Sequence, residues 1–148
     1  MNLDFSEIKV LLIGDLMLDH YIIGKSQRMS PEAPVPIVVS EKEFSVPGGA
    51  GNVAMNLSSM GAKITCCGVV GNDLAGSTLI EILSDNKINI ENIEIINNHL
   101  TTLKTRIYSD GLQVGRFDKE AFLSKNSSFM NINYEDYDCI ILSDYNKA

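Results

Sequence analysis

Only two histidines, His20 and His99, occur in the chain, and neither lies near a cysteine in sequence. Zinc sites draw on clustered His and Cys, so a metal centre of that kind is a poor fit. The three cysteines, Cys66, Cys67 and Cys139, form no CxxC pair and no disulfide framework. All three lie in apolar runs and read as buried free thiols. Basic residues are scarce, 12 Lys and Arg against 19 Asp and Glu, for a formal charge of −7. A nucleic-acid partner needs Lys and Arg clustered on one face, and no such cluster is present. No apolar run approaches the roughly 18 residues of a membrane span. The opening stretch, MNLDFSEIKVLLIG, places acids where a signal peptide carries basic residues. The expectation is a cytoplasmic protein with no membrane and no nucleic-acid partner.

Proline is also sparse, at 4 against 11 Gly, in a chain that is 45% hydrophobic and 21% charged. That composition excludes disorder, collagen and coiled coil. At 148 residues the chain is one domain's worth of polypeptide and long enough to bury a core. Lys9–Gly14, Lys63–Gly71 and Asp138–Ser143 are short continuous apolar runs, the mark of strands buried on both faces of a parallel sheet. The spacing of Val53, Ala54, Leu57 and Met60 predicts a helix over 51–60, ended by Gly61. A second helix fits 74–86, with Leu74, Ala75, Leu79, Ile82 and Leu83 on one face, and a short strand fits 93–96. Strands alternating with helices argue an α/β domain with a mostly parallel sheet.

Two β-rich stretches interrupt that alternation. Residues 21–44 hold two strand-like runs, YIIGK and IVVSEKEF, around a Pro-punctuated link. Residues 101–118 hold two more, joined at Ser109-Asp110-Gly111, a good hairpin signal. A small sheet projecting from the main domain accommodates both. The polar run 124–133 reads as a surface loop.

Three features carry possible chemistry. Pro47-Gly48-Gly49-Ala50-Gly51-Asn52 opens the first helix. Its glycines let backbone N–H groups approach a ligand, the helix start adds free donors, and Asn52 adds an amide. A tight turn with a capping Asn reads about as well. A dinucleotide fingerprint fits poorly, because the third glycine falls at Ala54 and Asp73 looks like a turn residue. Second, Asp15 and Asp19 follow the first strand, where open α/β sheets bind ligands. They suit sugar hydroxyls, or serve as turn and cap residues. Third, Lys104, Arg106 and Arg116 lie on the hairpin. Lys104 and Arg106 point the same way along a strand and suit a phosphate, though Lys on a solvated edge strand is ordinary.

The segment 48–71, GGAGNVAMNLSSMGAKITCCGVVG, resembles the N-terminal signature of the ribokinase-like (PfkB) sugar kinases. A narrower resemblance is to the heptose-7-phosphate kinase domains of bifunctional lipopolysaccharide-heptose enzymes. It rests on GDLMLDHY at 14–21, RMSPEAPVPIV at 28–38, TTLKTRIY at 101–108, GRFDKE at 115–120 and LSDYNK at 142–147, in the family's order. The resemblance implies a truncated ribokinase-like fold: residues 1–148 as the N-terminal part of a kinase domain, with lid segments at about 20–45 and 99–118. It implies ATP-dependent phosphorylation of D-glycero-D-manno-heptose 7-phosphate at its anomeric hydroxyl, with Mg2+, and a homodimer formed through the lid. Asp15, Asp19, Gly48, Gly49 and Asn52 then contact the sugar, Lys104, Arg106 and Arg116 face its phosphate, and Lys147 lies near the transferring group.

The family's catalytic Asp sits in a GAGD-type motif, and this sequence has none. The resemblance therefore places that Asp beyond Ala148 and assigns no catalytic residue within the chain. Phosphoryl transfer needs positioning, a metal-bound nucleotide and a base near the acceptor. The expectation is acceptor binding without turnover. Another PfkB-type kinase and a non-catalytic sugar-phosphate-binding or dimerising module are the alternatives.

Overall fold

The computed structural model describes residues 4–120 and 132–146. Strand β1 (Lys9–Gly14) leads through Asp15 alone into a long strand β2 (Leu16–Met29). Then follow β3 (Pro36–Gly49), α1 (Ala50–Ser59), β4 (Lys63–Gly71), α2 (Leu74–Asp85) and β5 (Asn89–Ile96). Strands β6 (Thr102–Ser109) and β7 (Leu112–Lys119) come next, then a 3-10 turn (Tyr134–Asp136) and β8 (Cys139–Ser143).

The strands form two sheets. The main sheet has order β5-β4-β1-β8 and is parallel throughout. The second has order β3-β2-β6-β7, with β2 parallel to β6 and antiparallel to β3. The expected α/β class forms, with a parallel main sheet and a second sheet, which is four-stranded like the first rather than small. Parallel pairing demands crossovers, and α1 and α2 supply them. Their apolar stripes bury Ala54, Leu79 and Leu83 against Val10, Leu12, Ile64, Cys66 and Val70 of the main sheet. Each side chain of that size buried is worth about 1.5–3 kcal/mol, so this layer holds the two βα units together.

Several elements differ from the expectation. The first lid strand begins at Leu16 rather than Tyr21, and β5 begins at Asn89. Leu74, expected on the buried helix face, is the first residue of α2 and is 83% exposed. Cys66 and Cys67 are buried as expected, but Cys139 is exposed. Among the described residues β8 is an edge strand, so Cys139, Ile140 and Leu142 lack a neighbour on that side. The hairpin turns at Asp110 and Gly111, with φ of 51° and 83°; two positive φ values match the twist of the flanking strands. Most of the polar stretch 124–133 lies outside the described residues. So do Lys147, expected near the transferring group, and Ala148, beyond which the catalytic Asp is expected.

Candidate functional site

The glycine corner sits where the two sheets meet. Strand β3 runs up to Gly49, which is the N-cap of α1 with φ 54° and ψ −130°, a conformation essentially reserved for glycine. A Cβ on Gly49 would stand 2.5 Å from the Asp15 carbonyl oxygen, and one on Gly48 would stand 2.8 Å from Asp19 Oδ2. Gly49 is therefore demanded by its backbone conformation and by main-chain approach, whereas Gly48 faces side-chain atoms that can yield. The helix start carries no side-chain cap. Asn52 is exposed and makes no side-chain hydrogen bond among the described residues, so the capping reading does not hold.

Asp15 is the corner itself and is 5% exposed. Its N–H donates to Ser143 O at 3.0 Å, its carbonyl accepts from Ala50 N at 2.9 Å, and its Oδ2 accepts from Tyr145 N at 2.6 Å. One residue thus ties the end of β1, the start of α1 and the segment after β8. These are carboxyl ends of parallel strands, the usual ligand side of an open sheet.

Asp19 lies two residues further along one face of β2 from Met17. Register partners share a face, so Met17, Asp19 and Tyr21 stand beside Thr102, Lys104 and Arg106, with Arg116 and Asp118 one strand further. The structure brings Asp19, Lys104, Arg106 and Arg116 together on this face, next to Gly48. Arg106 Nη1 donates to Asp19 Oδ1 at 2.7 Å, and the guanidinium lies 5.5 Å from the Tyr21 ring centroid. That hydrogen bond, despite partial burial, raises the Arg106 pKa. Arg116 grips both oxygens of Asp118, at 2.8 and 2.7 Å; the bond raises the arginine pKa and lowers the aspartate's. Lys104 Nζ lies 3.1 Å from the Met17 thioether, a weak acceptor.

Sequence reasoning does not single out Met17, Tyr21 or Asp118. The period-2 pattern Met17, Asp19, Tyr21 is the signal, hidden when the strand is started at Tyr21. Asp73, expected as a turn residue, is the N-cap of α2 and accepts from Gly76 N and Thr101 N. A separate cavity of about 390 Å³, walled by Leu18, His20, Leu103, Leu74 and Thr101, lies on the opposite face of the lid. None of the predicted site residues lines it. No described helix is long and apolar enough to cross a membrane.

Residues 7–128 match the model of the pfkB family of carbohydrate kinases. A bifunctional protein HldE from Helicobacter acinonychis is 48% identical over 95% of this chain, which covers 32% of that protein. The Sulfurimonas denitrificans protein of the same name is 43% identical over 95% of this chain and 31% of its own length. The chain thus spans about a third of these relatives. Among solved structures, a putative ribokinase from Agrobacterium tumefaciens superposes with a TM-score of 0.67 at 19% identity, over 91% of this chain and 44% of that one. Arabidopsis thaliana ribokinase complexed with ribose and ATP gives 0.60 at 17% identity, over 76% and 36%. At such identities the likeness is one of fold, and the family match adds the rest: the chain belongs to the pfkB family of carbohydrate kinases.

Proposed function

We propose that this chain is the acceptor-binding and lid portion of a cytoplasmic kinase that phosphorylates D-glycero-D-manno-heptose 7-phosphate at its anomeric hydroxyl. The observation that carries the reading is the convergence at the glycine corner. Asp15, Gly48 and Gly49 form the corner where the parallel strands end, and Asp19 with the basic set Lys104, Arg106 and Arg116 lines the adjoining face of the second sheet, joined to the corner through Met17 and Gly48. A carboxylate and amides suit hydroxyls, and a concentration of cations in an acidic chain suits a phosphate. The motifs SPEAPVP at 30–36 and LSDYNK at 142–147 favour this sugar over other PfkB substrates.

The residues' part in the reaction is to bind and orient. Asp19 accepts from a sugar hydroxyl, backbone N–H groups at the start of α1 donate to sugar oxygens, and the lid face excludes water. ATP with Mg2+ supplies the transferred group in such chemistry. Among the described residues no three His, Cys, Asp or Glu side chains cluster as a metal site. With no GAGD motif in the sequence up to Ala148, the chain alone is expected not to turn over. The lid also exposes Val39, Leu112 and Phe117, which supports a homodimer formed through it.

Titration calorimetry with heptose 7-phosphate, ribose and fructose 6-phosphate tests the reading. Binding of the heptose alone supports it. Preference for either other sugar points to another carbohydrate kinase, and binding of none leaves a dimerising module. ATP-dependent phosphorylation by the pure chain would overturn the expectation of inactivity.

A further inference from the structure

The three basic residues on the lid face do not stand in equivalent positions. Arg116 has both carboxylate oxygens of Asp118 in its fork. Arg106 is committed to Asp19 at 2.7 Å, and the two side chains are 20% and 18% exposed. A charge pair this far out of water is costly to separate, since each ion left behind is poorly solvated. Lys104 differs. Its register neighbours are Asp19 and Asp118, but Arg106 holds one and Arg116 the other. Among the described residues its ammonium has no carboxylate within ion-pair distance, only the Met17 sulfur. That sulfur belongs to the side chain that a Cβ on Gly48 or Gly49 would strike, so the ammonium rests beside the glycine corner.

The two oxygens of Asp19 are divided in the same way. Oδ1 is held by Arg106, while Oδ2 faces the space that Gly48 keeps open. We propose a division of labour, resting on the heptose-phosphate reading above. Lys104 is the residue that recognises the substrate phosphate. Arg106 is a positioning residue, which fixes Asp19 so that Oδ2 is presented to a sugar hydroxyl. Arg106 then contributes equally to a sugar with or without its phosphate, and Lys104 contributes only when the phosphate is there. The ammonium suits this task because it is a mobile point charge with three donors, able to leave a weak sulfur contact.

The experiment measures the Kd of the 148-residue chain for heptose 7-phosphate and for unphosphorylated heptose, and reads the ratio. Lys104→Met is expected to weaken the phosphorylated sugar by about 10- to 100-fold, the range for a charged hydrogen bond, and to leave the free sugar unchanged. The ratio then collapses towards unity. Arg106→Gln weakens both sugars by the same factor and preserves the ratio, and Arg106→Lys, which retains a donor for Asp19, restores part of both. Both sugars are titrated into one sample, so partial unfolding of a variant lowers the stoichiometry and leaves the ratio untouched. An Arg106 variant that selectively loses the phosphorylated sugar overturns the proposal, as does a Lys104 variant that loses both sugars equally. A wild-type chain that binds neither sugar overturns the underlying reading and the proposal with it.

Discussion

Alanine at the two adjacent glycines of the corner is expected to do two different things. At Gly49 the backbone sits at φ 54° and ψ −130°, and the new Cβ would lie 2.5 Å from the Asp15 carbonyl oxygen. Backbone strain of this kind costs about 1–3 kcal/mol. Forcing main chain apart adds about 1–3 kcal/mol more, because neither the β1–β2 corner nor the start of α1 has a flexible tip to move. The sum, roughly 2–6 kcal/mol, is a large share of the stability of a small domain. Gly61 is the control: its φ is +98°, but the nearest atom to a Cβ is 3.8 Å away. Gly61→Ala carries the backbone cost alone.

Gly48 has no left-handed φ, and its Cβ would meet side chains: Asp19 Oδ2 at 2.8 Å and Met17 Cγ at 2.9 Å. Those atoms yield more readily, so the stability loss falls near the low end, about 1 kcal/mol. The methyl group, however, occupies the space in front of the proposed acceptor oxygen. Affinity for heptose 7-phosphate is expected to fall about tenfold or more, the worth of one hydrogen bond to a charged group. Urea unfolding gives the stabilities and calorimetry the affinities. The reasoning is refuted if Gly49→Ala costs no more than Gly61→Ala, or if Gly48→Ala binds sugar like wild type.

Three further outcomes are expected. Asp15→Asn, which keeps a carbonyl acceptor for Tyr145 N, retains more stability in urea than Asp15→Ala, which leaves that N–H unpaired; equal losses would show that the hydrogen bond contributes little. At pH 8 a thiol reagent labels Cys139 and spares Cys66 and Cys67 until unfolding, because burial pushes their thiols up to about 12 and about 11; labelling of all three in the native state contradicts this. Burial alone would raise the Asp73 pKa, but hydrogen bonds from Gly76 and Thr101, with His99 nearby, outweigh it and hold it below 3.8. Its contribution is therefore present above the unfolded value and lost as pH falls through the lower folded one, so Asp73→Ala lowers stability at pH 7 and flattens the acid limb of the stability curve below about pH 4.

The two inner strands of the main sheet were legible because parallel strands buried on both faces are written as continuous apolar runs, whereas β5 alternates and was expected only over 93–96. Lys9–Gly14 and Lys63–Gly71 fall at the observed bounds, and Asp138–Ser143 misses by one residue. The lid was legible as β structure but not in its extent. Leu16–His20 looks like a loop after a strand, because Asp15 and Asp19 are turn-forming types and the chain changes sheets across one residue. Missing that start hid the shared face of Met17, Asp19 and Tyr21. The parallel pairing of β2 with β6 was equally out of reach, since residues some 85 positions apart leave no local pattern.

The site shows the same limit in sharper form. The charged residues of the lid face are all visible in the sequence, yet which charges cancel is not. Spacing places Lys104 and Arg106 on one face, and composition says a cation pair there needs an anion. The side-chain contacts show that the anion is already present for two of the three: Asp19, on the neighbouring strand, for Arg106, and Asp118, two residues along the same strand, for Arg116. Of the three cations, two are ion-paired in the structure and the Lys104 ammonium has no carboxylate partner among the described residues. The inference from like charges to an anionic ligand is therefore carried by Lys104 in the division of labour proposed above, and the Kd ratio for sugar with and without phosphate is what tests it.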